Sequence, residues 1–330
     1  MLPFVTRMNS FNTARFIFGS WLFVVGSVSA LAQTDANENE RRSRPWMLGV
    51  SAQIDDLDTD SLYATFNWGV TEKTWIYFSG GTSHLKNNFG ELTTNSFLAG
   101  FDRRFGRFGF SLDGELWGDS AEIESTDVRA TVHFGGARYR LYLELEDRHI
   151  DLSPVLRDRP LLSERINLDA DGTGIGLRVR VDLTDRWRVY LRGMSYDYDW
   201  ASPALRGQDS LVDLCANAAA LSGSCDQLQN FLTLLERRNS YVQSTLANNS
   251  FLDSELSVNM EWALGTKLLN LNLTRDRAID LARSESQSIG GSILFPINYR
   301  LDLEFSLGRS ESDLFEPSTY GGLFFLLYGG

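Results

Sequence analysis

The chain has 330 residues and a formal net charge of −12, with 31 Lys and Arg residues against 43 Asp and Glu residues. This acidic balance, without a concentrated basic stripe, argues against a nucleic-acid partner. The hydrophobic content of 43% and aromatic content of 12% are compatible with a large folded domain or a barrel. No Pro/Ser-rich linker interrupts the middle of the chain, so we expect one domain.

The N-terminal segment has the features of a secretory signal peptide. Two arginines precede the largely apolar residues 16–28, and the small-x-small sequence at 30–32 fits a cleavage site. We therefore predict a cleaved signal peptide at residues 1–32. An uncleaved anchor helix is the alternative, but the apolar run is short for a span of about 20 residues. The polar residues 33–45 should be a disordered periplasmic leader.

Behind this signal the sequence alternates between apolar and polar residues with a period of two. In residues 138–146, Leu141 and Leu145 fall on one face, while Arg140 and Glu144 fall on the other. Successive side chains of a strand point to opposite sides, so one face is apolar and the other is charged. In a soluble sandwich the charged face would meet water. In a membrane barrel the apolar face meets lipid and the charged face lines the interior.

The alternation predicts an all-β domain over residues 46–330. Most of its segments are long enough to cross a bilayer when tilted, which needs about 9–11 residues. We predict fourteen strands, at 46–55, 60–69, 73–82, 91–102, 106–117, 122–134, 136–147, 172–183, 186–199, 250–263, 265–276, 284–296, 298–309 and 318–328.

Short and longer links alternate between these segments. The links after the odd-numbered segments are mostly longer and include residues 148–171 and 201–249. Outer-membrane barrels have short periplasmic turns, long external loops and an even strand count, whereas a sandwich has no reason for this parity. The pattern therefore predicts a single antiparallel transmembrane β-barrel. The short links are 70–72, 103–105, Gly135, 184–185, Leu264 and Ile297.

Aromatic residues near the segment ends fit the girdles at the two membrane interfaces, although strands are enriched in aromatics in any case. On these patterns, residues 46–330 resemble the Gram-negative outer-membrane β-barrel class, and more loosely the monomeric porin-like channels of about fourteen strands. The last segment keeps Tyr320, Phe324, Leu326 and Tyr328 in one phase.

The resemblance rests on pattern and not on a diagnostic motif. Barrels of this class commonly end on an aromatic residue that the barrel assembly machinery reads, but here Gly329 and Gly330 follow Tyr328. The resemblance implies the outer membrane of a Gram-negative bacterium. It also implies three kinds of partner: the barrel assembly machinery, outer-membrane lipid and lipopolysaccharide, and small polar solutes.

The polar phase of the segments predicts the lining of the barrel interior. Arginines on adjacent segments should form a basic wall, and carboxylates should gather mainly on other parts of the circumference. The resulting transverse field would filter polar solutes. The basic candidates are Arg129, Arg138, Arg140, Arg178, Arg180, Arg188 and Arg192. The acidic candidates are Asp113, Glu115, Glu255, Glu261, Asp302 and Glu304.

An alternative is that the interior charges pair with one another and fill the barrel. Arg140, Arg178 and Arg180 could then pair with Glu144 and Asp182 on the same or adjacent strands. About eight strands give an interior that side chains alone can fill, so fourteen favour a water-filled lumen.

The long link at 201–249 should be a helical external loop. Residues 211–221 and 226–237 predict two short helices, and a Cys215–Cys225 disulfide would join them in an oxidising compartment. This loop could fold into the lumen, cap the mouth, contact a partner or pack on neighbouring loops. The cysteines lack companions for zinc, and Asp169 to Gly172 only faintly matches a calcium loop, so we expect no metal and no cofactor.

These features favour a porin-like channel for passive diffusion of small polar or charged solutes. The alternatives are an outer-membrane hydrolase and a non-transporting structural or assembly barrel. Three histidines, His84, His133 and His149, are available for catalysis, but no nucleophile signature accompanies them. We therefore expect a protein that is not an enzyme.

Overall fold

The computed structural model describes residues 46–56, 59–87, 90–119, 123–152, 168–200, 252–278, 285–312 and 317–329. These residues form fourteen antiparallel strands. The strands are β1 (Trp46–Asp55), β2 (Asp60–Thr71), β3 (Thr74–Asn87), β4 (Gly90–Phe105), β5 (Phe108–Gly118), β6 (Ile123–Gly135), β7 (Tyr139–Leu152), β8 (Leu168–Asp182), β9 (Trp187–Trp200), β10 (Leu252–Leu264), β11 (Lys267–Ala278), β12 (Glu285–Asn298), β13 (Leu301–Ser312) and β14 (Ser318–Gly329).

Each strand pairs with its neighbours in sequence, and β1 pairs with β14, so the sheet closes into a barrel. At the seam, Trp46 faces Gly329 and Asp55 faces Tyr320. The predicted all-β, single antiparallel barrel is therefore confirmed. Among the described residues, no helix is long and apolar enough to cross a membrane. The predicted signal peptide, leader, helical loop and Cys215–Cys225 bond all lie outside the described residues.

The two faces of the strands differ as the alternation predicts. On β7, Leu143 points outward and is 46% exposed, whereas Glu144 points inward and is 2% exposed. β14 departs from this rule because both of its faces are apolar. Phe324 and Leu326 point inward and are buried, while Phe325 points outward. The four residues that share one phase of the alternation in this segment therefore point into the barrel. They are Tyr320, Phe324, Leu326 and Tyr328.

β7 and β8 continue further than their sequence pattern indicates. The predicted link at 148–171 contains residues of both strands, and Asp171 faces His149 across the pair. Outward side chains here are polar, so the apolar signal ends before the strand does. Asp169 to Gly172, which only faintly match a calcium loop in sequence, belong to β8.

Short turns lie together at one end of the barrel, as predicted. The two-residue turns after β4 and β10 begin at Gly106 and Gly265, whose φ values of 65° and 66° suit glycine. At the opposite end, the link between β3 and β4 comprises only residues 88–89. That link is therefore as short as the turns, because these two strands extend beyond their predicted ends.

Several interior glycines lie beneath an aromatic ring of the adjacent strand. A Cβ on Gly174 would come within 2.6 Å of the Tyr196 ring, and one on Gly49 within 2.6 Å of the Phe324 ring. Because glycine has no side chain, the rings can lie flat against the sheet at these positions. A larger residue there would push them away from it. This packing keeps bulky side chains close to the sheet.

Replacement of Gly174 by Val should destabilise the barrel by about 1–3 kcal/mol, the usual cost of overpacking. The new side chain must displace Tyr196, whose hydroxyl donates to Glu146 at 3.2 Å. Equilibrium urea unfolding of the refolded protein measures this loss. Gly193→Val is the matched control, because a Cβ there meets only ordinary contacts. Equal stability of the two variants would contradict the proposed ring packing.

Candidate functional site

The charged side chains of the interior concentrate on the arc from β5 to β10. The alternation of buried and exposed positions places most of the predicted charges on the inner face. Arg138 is the exception, because it lies exposed in the turn before β7. The predicted residues on the inner face are Arg129, Arg140, Arg178, Arg180, Arg188, Arg192, Asp113, Glu115, Glu255, Glu261, Asp302 and Glu304.

Glu144 is the centre of the middle part of this arc. Its Oε1 lies 3.1 Å from Arg178 Nε, and its Oε2 accepts a hydrogen bond from Arg192 Nε at 2.9 Å. Arg192 also donates to Glu255 Oε2 at 2.6 Å, so the cluster spans β7 to β10. The Arg178 guanidinium stacks on the Tyr142 ring at 4.3 Å. Arg178 and Arg192 retain 24% and 20% side-chain exposure, so they are accessible from the interior.

A second ionic cluster lies near the short-turn end. Arg188 Nε donates to Asp182 Oδ1 at 3.0 Å, and its Nη1 donates to Glu261 Oε2 at 2.9 Å. Arg180 Nη2 donates to Asp182 Oδ2 at 2.6 Å. Two guanidinium groups therefore share two carboxylates, which balances the charge of this cluster.

A third cluster, toward the long-link end, is built around Arg148. Its side chain is 0% exposed, and its Nε and Nη2 lie 3.3 Å from Asp127 Oδ1 and 2.5 Å from Glu146 Oε1. The guanidinium also donates to the Tyr198 hydroxyl at 3.0 Å and lies over the Tyr196 ring. Arg148 falls within the predicted link at 148–171, although it is spaced by two from Glu146 and by four from Glu144 and so shares their face of β7.

Asp113 connects Arg129 to the arc. Arg129 Nη2 donates to Asp113 Oδ1 at 2.9 Å, and the Tyr77 hydroxyl donates to Asp113 Oδ2 at 3.2 Å. Asp113 and Arg129 face each other directly across β5 and β6. Glu115, the next inward carboxylate of β5, is buried.

The charges on this arc are interleaved and do not form a continuous basic wall. We expected the carboxylates mainly on other parts of the circumference, but Glu144, Asp182 and Glu255 lie among the arginines. Isolated buried charges are costly, and opposite charges on neighbouring strands offset part of that cost. Asp302 and Glu304 do lie away from this arc, on β13.

The rest of the interior is lined by small polar and by apolar side chains. Ser292, Ser306 and Ser310 are buried on β12 and β13. An apolar cluster at the seam contains Met47, Phe324, Leu326 and Tyr328, with Leu294 packed against it. The interior therefore has one arc rich in paired charges and a second arc in which small polar and apolar side chains accompany a few carboxylates, such as Asp302 and Glu304.

The three histidines do not converge on one place. His133 is buried, with Nε2 at 3.4 Å from Asp102 Oδ2. His84 Nδ1 lies 2.9 Å from Thr93 Oγ1, and His149 Nδ1 lies 2.6 Å from Asp171 Oδ1, both in exposed settings. Across the described strands, no group of three or more His, Cys, Asp or Glu residues could hold a metal ion.

A closed barrel of this architecture is the fold of outer-membrane porins and channels, and solved structures of that class are similar to this chain. The CymD monoaromatic hydrocarbon channel aligns with a TM-score of 0.51 and 8% identity, over 93% of this chain and 94% of that one. A KdgM porin aligns with a TM-score of 0.39 and 8% identity, over 86% and 99%.

Pseudomonas aeruginosa OpdK, solved with vanillate, aligns with a TM-score of 0.41 and 8% identity, over 86% of this chain and 97% of that one. At these identities the likeness concerns the fold alone. No protein-family model and no curated protein matches the chain.

Proposed function

We propose that this protein is an outer-membrane channel for passive diffusion of small polar or charged solutes. One observation carries the proposal, namely an apolar outer surface on a barrel whose inner face is charged. Phe97, Leu116, Val132 and Leu177 are about half exposed on successive parts of the circumference. Soluble proteins rarely expose apolar patches of this extent, whereas a lipid bilayer solvates them.

The fold supports a channel in preference to an enzyme. CymD, a neighbour that aligns with a TM-score above one half, is described as a channel. The exposed contacts of His84 and His149 involve a threonine and an aspartate and are open to water. Catalytic groups are usually held in a fixed, partly enclosed geometry, which these side chains lack.

Solutes would be filtered by paired charges along the β5 to β10 arc. Arg178 and Arg192 present partly exposed guanidinium groups, while the carboxylate of Glu144 lies buried behind them. Alternating charges create a local field across the wall with little net sign. Such a wall orients polar solutes and discriminates weakly by charge.

The proposal of a membrane channel extends to the cellular location of the protein and to its partners there. The mature chain would reach the outer membrane of a Gram-negative bacterium after removal of residues 1–32. The barrel assembly machinery would insert it, and its outer surface would contact lipid and lipopolysaccharide. A Cys215–Cys225 bond in the 201–249 loop would shape the external mouth.

Single-channel recording of the refolded mature chain in a planar bilayer tests the proposal. We expect stable open steps, with a modest reversal potential under a salt gradient because the wall charges are paired. Inserted but silent barrels would contradict a channel, and a soluble folded monomer would contradict the membrane assignment. Hydrolysis of labelled lipid by the same preparation would support the enzyme alternative instead.

A further inference from the structure

Glu304 differs from the other interior carboxylates described above. Its side chain is 0% exposed, and neither carboxylate oxygen has a hydrogen-bond donor in acceptable geometry. Within the described residues, no arginine, lysine or histidine forms an ion pair with it. A fully buried carboxylate is costly unless a cation or a proton compensates it. The position therefore requires either a proton on the carboxylate or a bound cation, since no cationic side chain of the described residues pairs with it.

The cross-strand neighbours of Glu304 are apolar. It faces Leu294 on β12 and Phe324 on β14. Both side chains belong to the apolar packing at the seam, which also includes Met47 and Leu326. This cover separates the carboxylate from bulk water, and electrostatic attraction is stronger in such a setting than in water.

Other buried oxygen atoms without a hydrogen-bond partner lie on β11 and β13, on the same face of the sheet as Glu304. Asn270 Oδ1 and Ser306 Oγ are also buried without a hydrogen-bond partner. Asn270, Ser292 and Ser306 face one another in register across β11, β12 and β13. Asn270 Nδ2 donates to Ser292 Oγ at 3.2 Å, and the Glu304 carboxylate lies against both of these side chains. The donor set is therefore made entirely of oxygen, which hard cations prefer.

The local charge balance indicates the valence of the ligand. Glu261, a carboxylate whose charge acts on Glu304, is paired with Arg188, and the ion pairs among Arg180, Arg188, Asp182 and Glu261 join two positive and two negative groups. Glu304 is therefore a single carboxylate among neutral oxygen ligands, which suits a monovalent cation, whereas Asp302, two residues away on β13, accepts a hydrogen bond from the Tyr328 hydroxyl at 2.7 Å. We propose that Glu304, Asn270, Ser292 and Ser306 form a binding site for a small monovalent cation, Na⁺ or K⁺, in the barrel wall.

The site is distinct from the proposed conduction path, because its carboxylate is fully buried and lies on β13, outside the β5 to β10 arc. Its role would be to stabilise the β11 to β13 segment of the wall. The test therefore uses stability and does not depend on whether the barrel conducts.

The thermal unfolding midpoint of the refolded mature protein should be compared in NaCl, KCl and choline chloride at equal ionic strength. We expect a higher midpoint in NaCl or KCl, since choline is too bulky for the site. Glu304→Gln should abolish this dependence on the cation. Asp302→Asn is the matched control, because Asp302 lies on the same strand and face and should leave the cation effect intact.

A second measurement keeps the test decisive if Glu304→Gln does not refold. Ser306→Ala removes one ligand oxygen with little change of volume and should weaken the cation effect, seen also as narrower ²³Na resonance lines. Equal midpoints in all three salts, or an unchanged cation effect in both variants, would overturn the proposal. Stronger stabilisation by CaCl₂ at matched ionic strength would overturn the assignment to a monovalent ion.

Discussion

Arg148→Gln should lower the free energy of unfolding by about 3–5 kcal/mol, the cost of leaving buried charges without their partner. The Arg148 side chain is 0% exposed and contacts two buried carboxylates, Asp127 and Glu146. Glutamine carries no charge, so both carboxylates would lose their compensation. Equilibrium urea unfolding in lipid vesicles gives the change from the shift in the midpoint.

The matched control for this variant is Arg275→Gln. Arg275 also pairs with a carboxylate, that of Glu285, but its side chain is 58% exposed. Exposed pairs contribute about 0–1 kcal/mol, so this change should be nearly neutral. Similar losses in the two variants would show that the buried cluster around Arg148 does not stabilise the barrel.

Arg192→Gln should shift the selectivity of the channel toward cations. The change removes a partly exposed positive charge and leaves Glu144 and Glu255 with one partner fewer. A unit charge at about 4 Å contributes about 1 kcal/mol in water. The cation-over-anion permeability ratio should therefore rise about two- to fivefold, which corresponds to about 0.4–1 kcal/mol. Reversal potentials under a salt gradient measure this ratio.

Two further variants define what the selectivity shift means. Glu144→Gln removes the opposite charge from the same cluster and should move the reversal potential in the opposite direction. Arg275→Gln should have no effect, because Arg275 lies in register with outward-facing Leu256. If neither interior variant changes the reversal potential, the cluster around Glu144 lies outside the conduction path.

The architecture could be predicted from sequence because side-chain alternation is a local property. On β7 the period of two alone separates outward Leu143 from inward Glu144, and the same reasoning gives the strand count. The ends of β7 and β8 could not be predicted in this way. Toward the long-link end of β7 the outward residues, such as Asp147 and His149, are polar. The contrast between an apolar and a polar face therefore disappears there, although the strand continues.

The charge pairing of the interior could be predicted only in part: the Arg178–Glu144 and Arg180–Asp182 pairs given as an alternative are present, but the pairs made by Arg192 were not foreseen. Arg192 faces Ser257 directly, and its bond to Glu255 depends on the register of β9 against β10. These strands are separated by the link at residues 201–251, from which no register can be derived. Glu144, on β7, accepts a hydrogen bond from Arg192, which lies two strands away on β9. Pairing at that distance depends on tilt and side-chain rotamers, which no sequence period encodes.

The seam between β1 and β14 has a consequence for the order of folding. Trp46 faces Gly329 there, so the hydrogen bonds that close the barrel join the most distant described parts of the chain. Contacts of such high sequence separation carry the largest loop-closure entropy and form slowly. Until they form, β1 and β14 each present a bare edge that can pair with another molecule. Ring closure, more than strand formation, is therefore the stage at which this barrel is most exposed to aggregation.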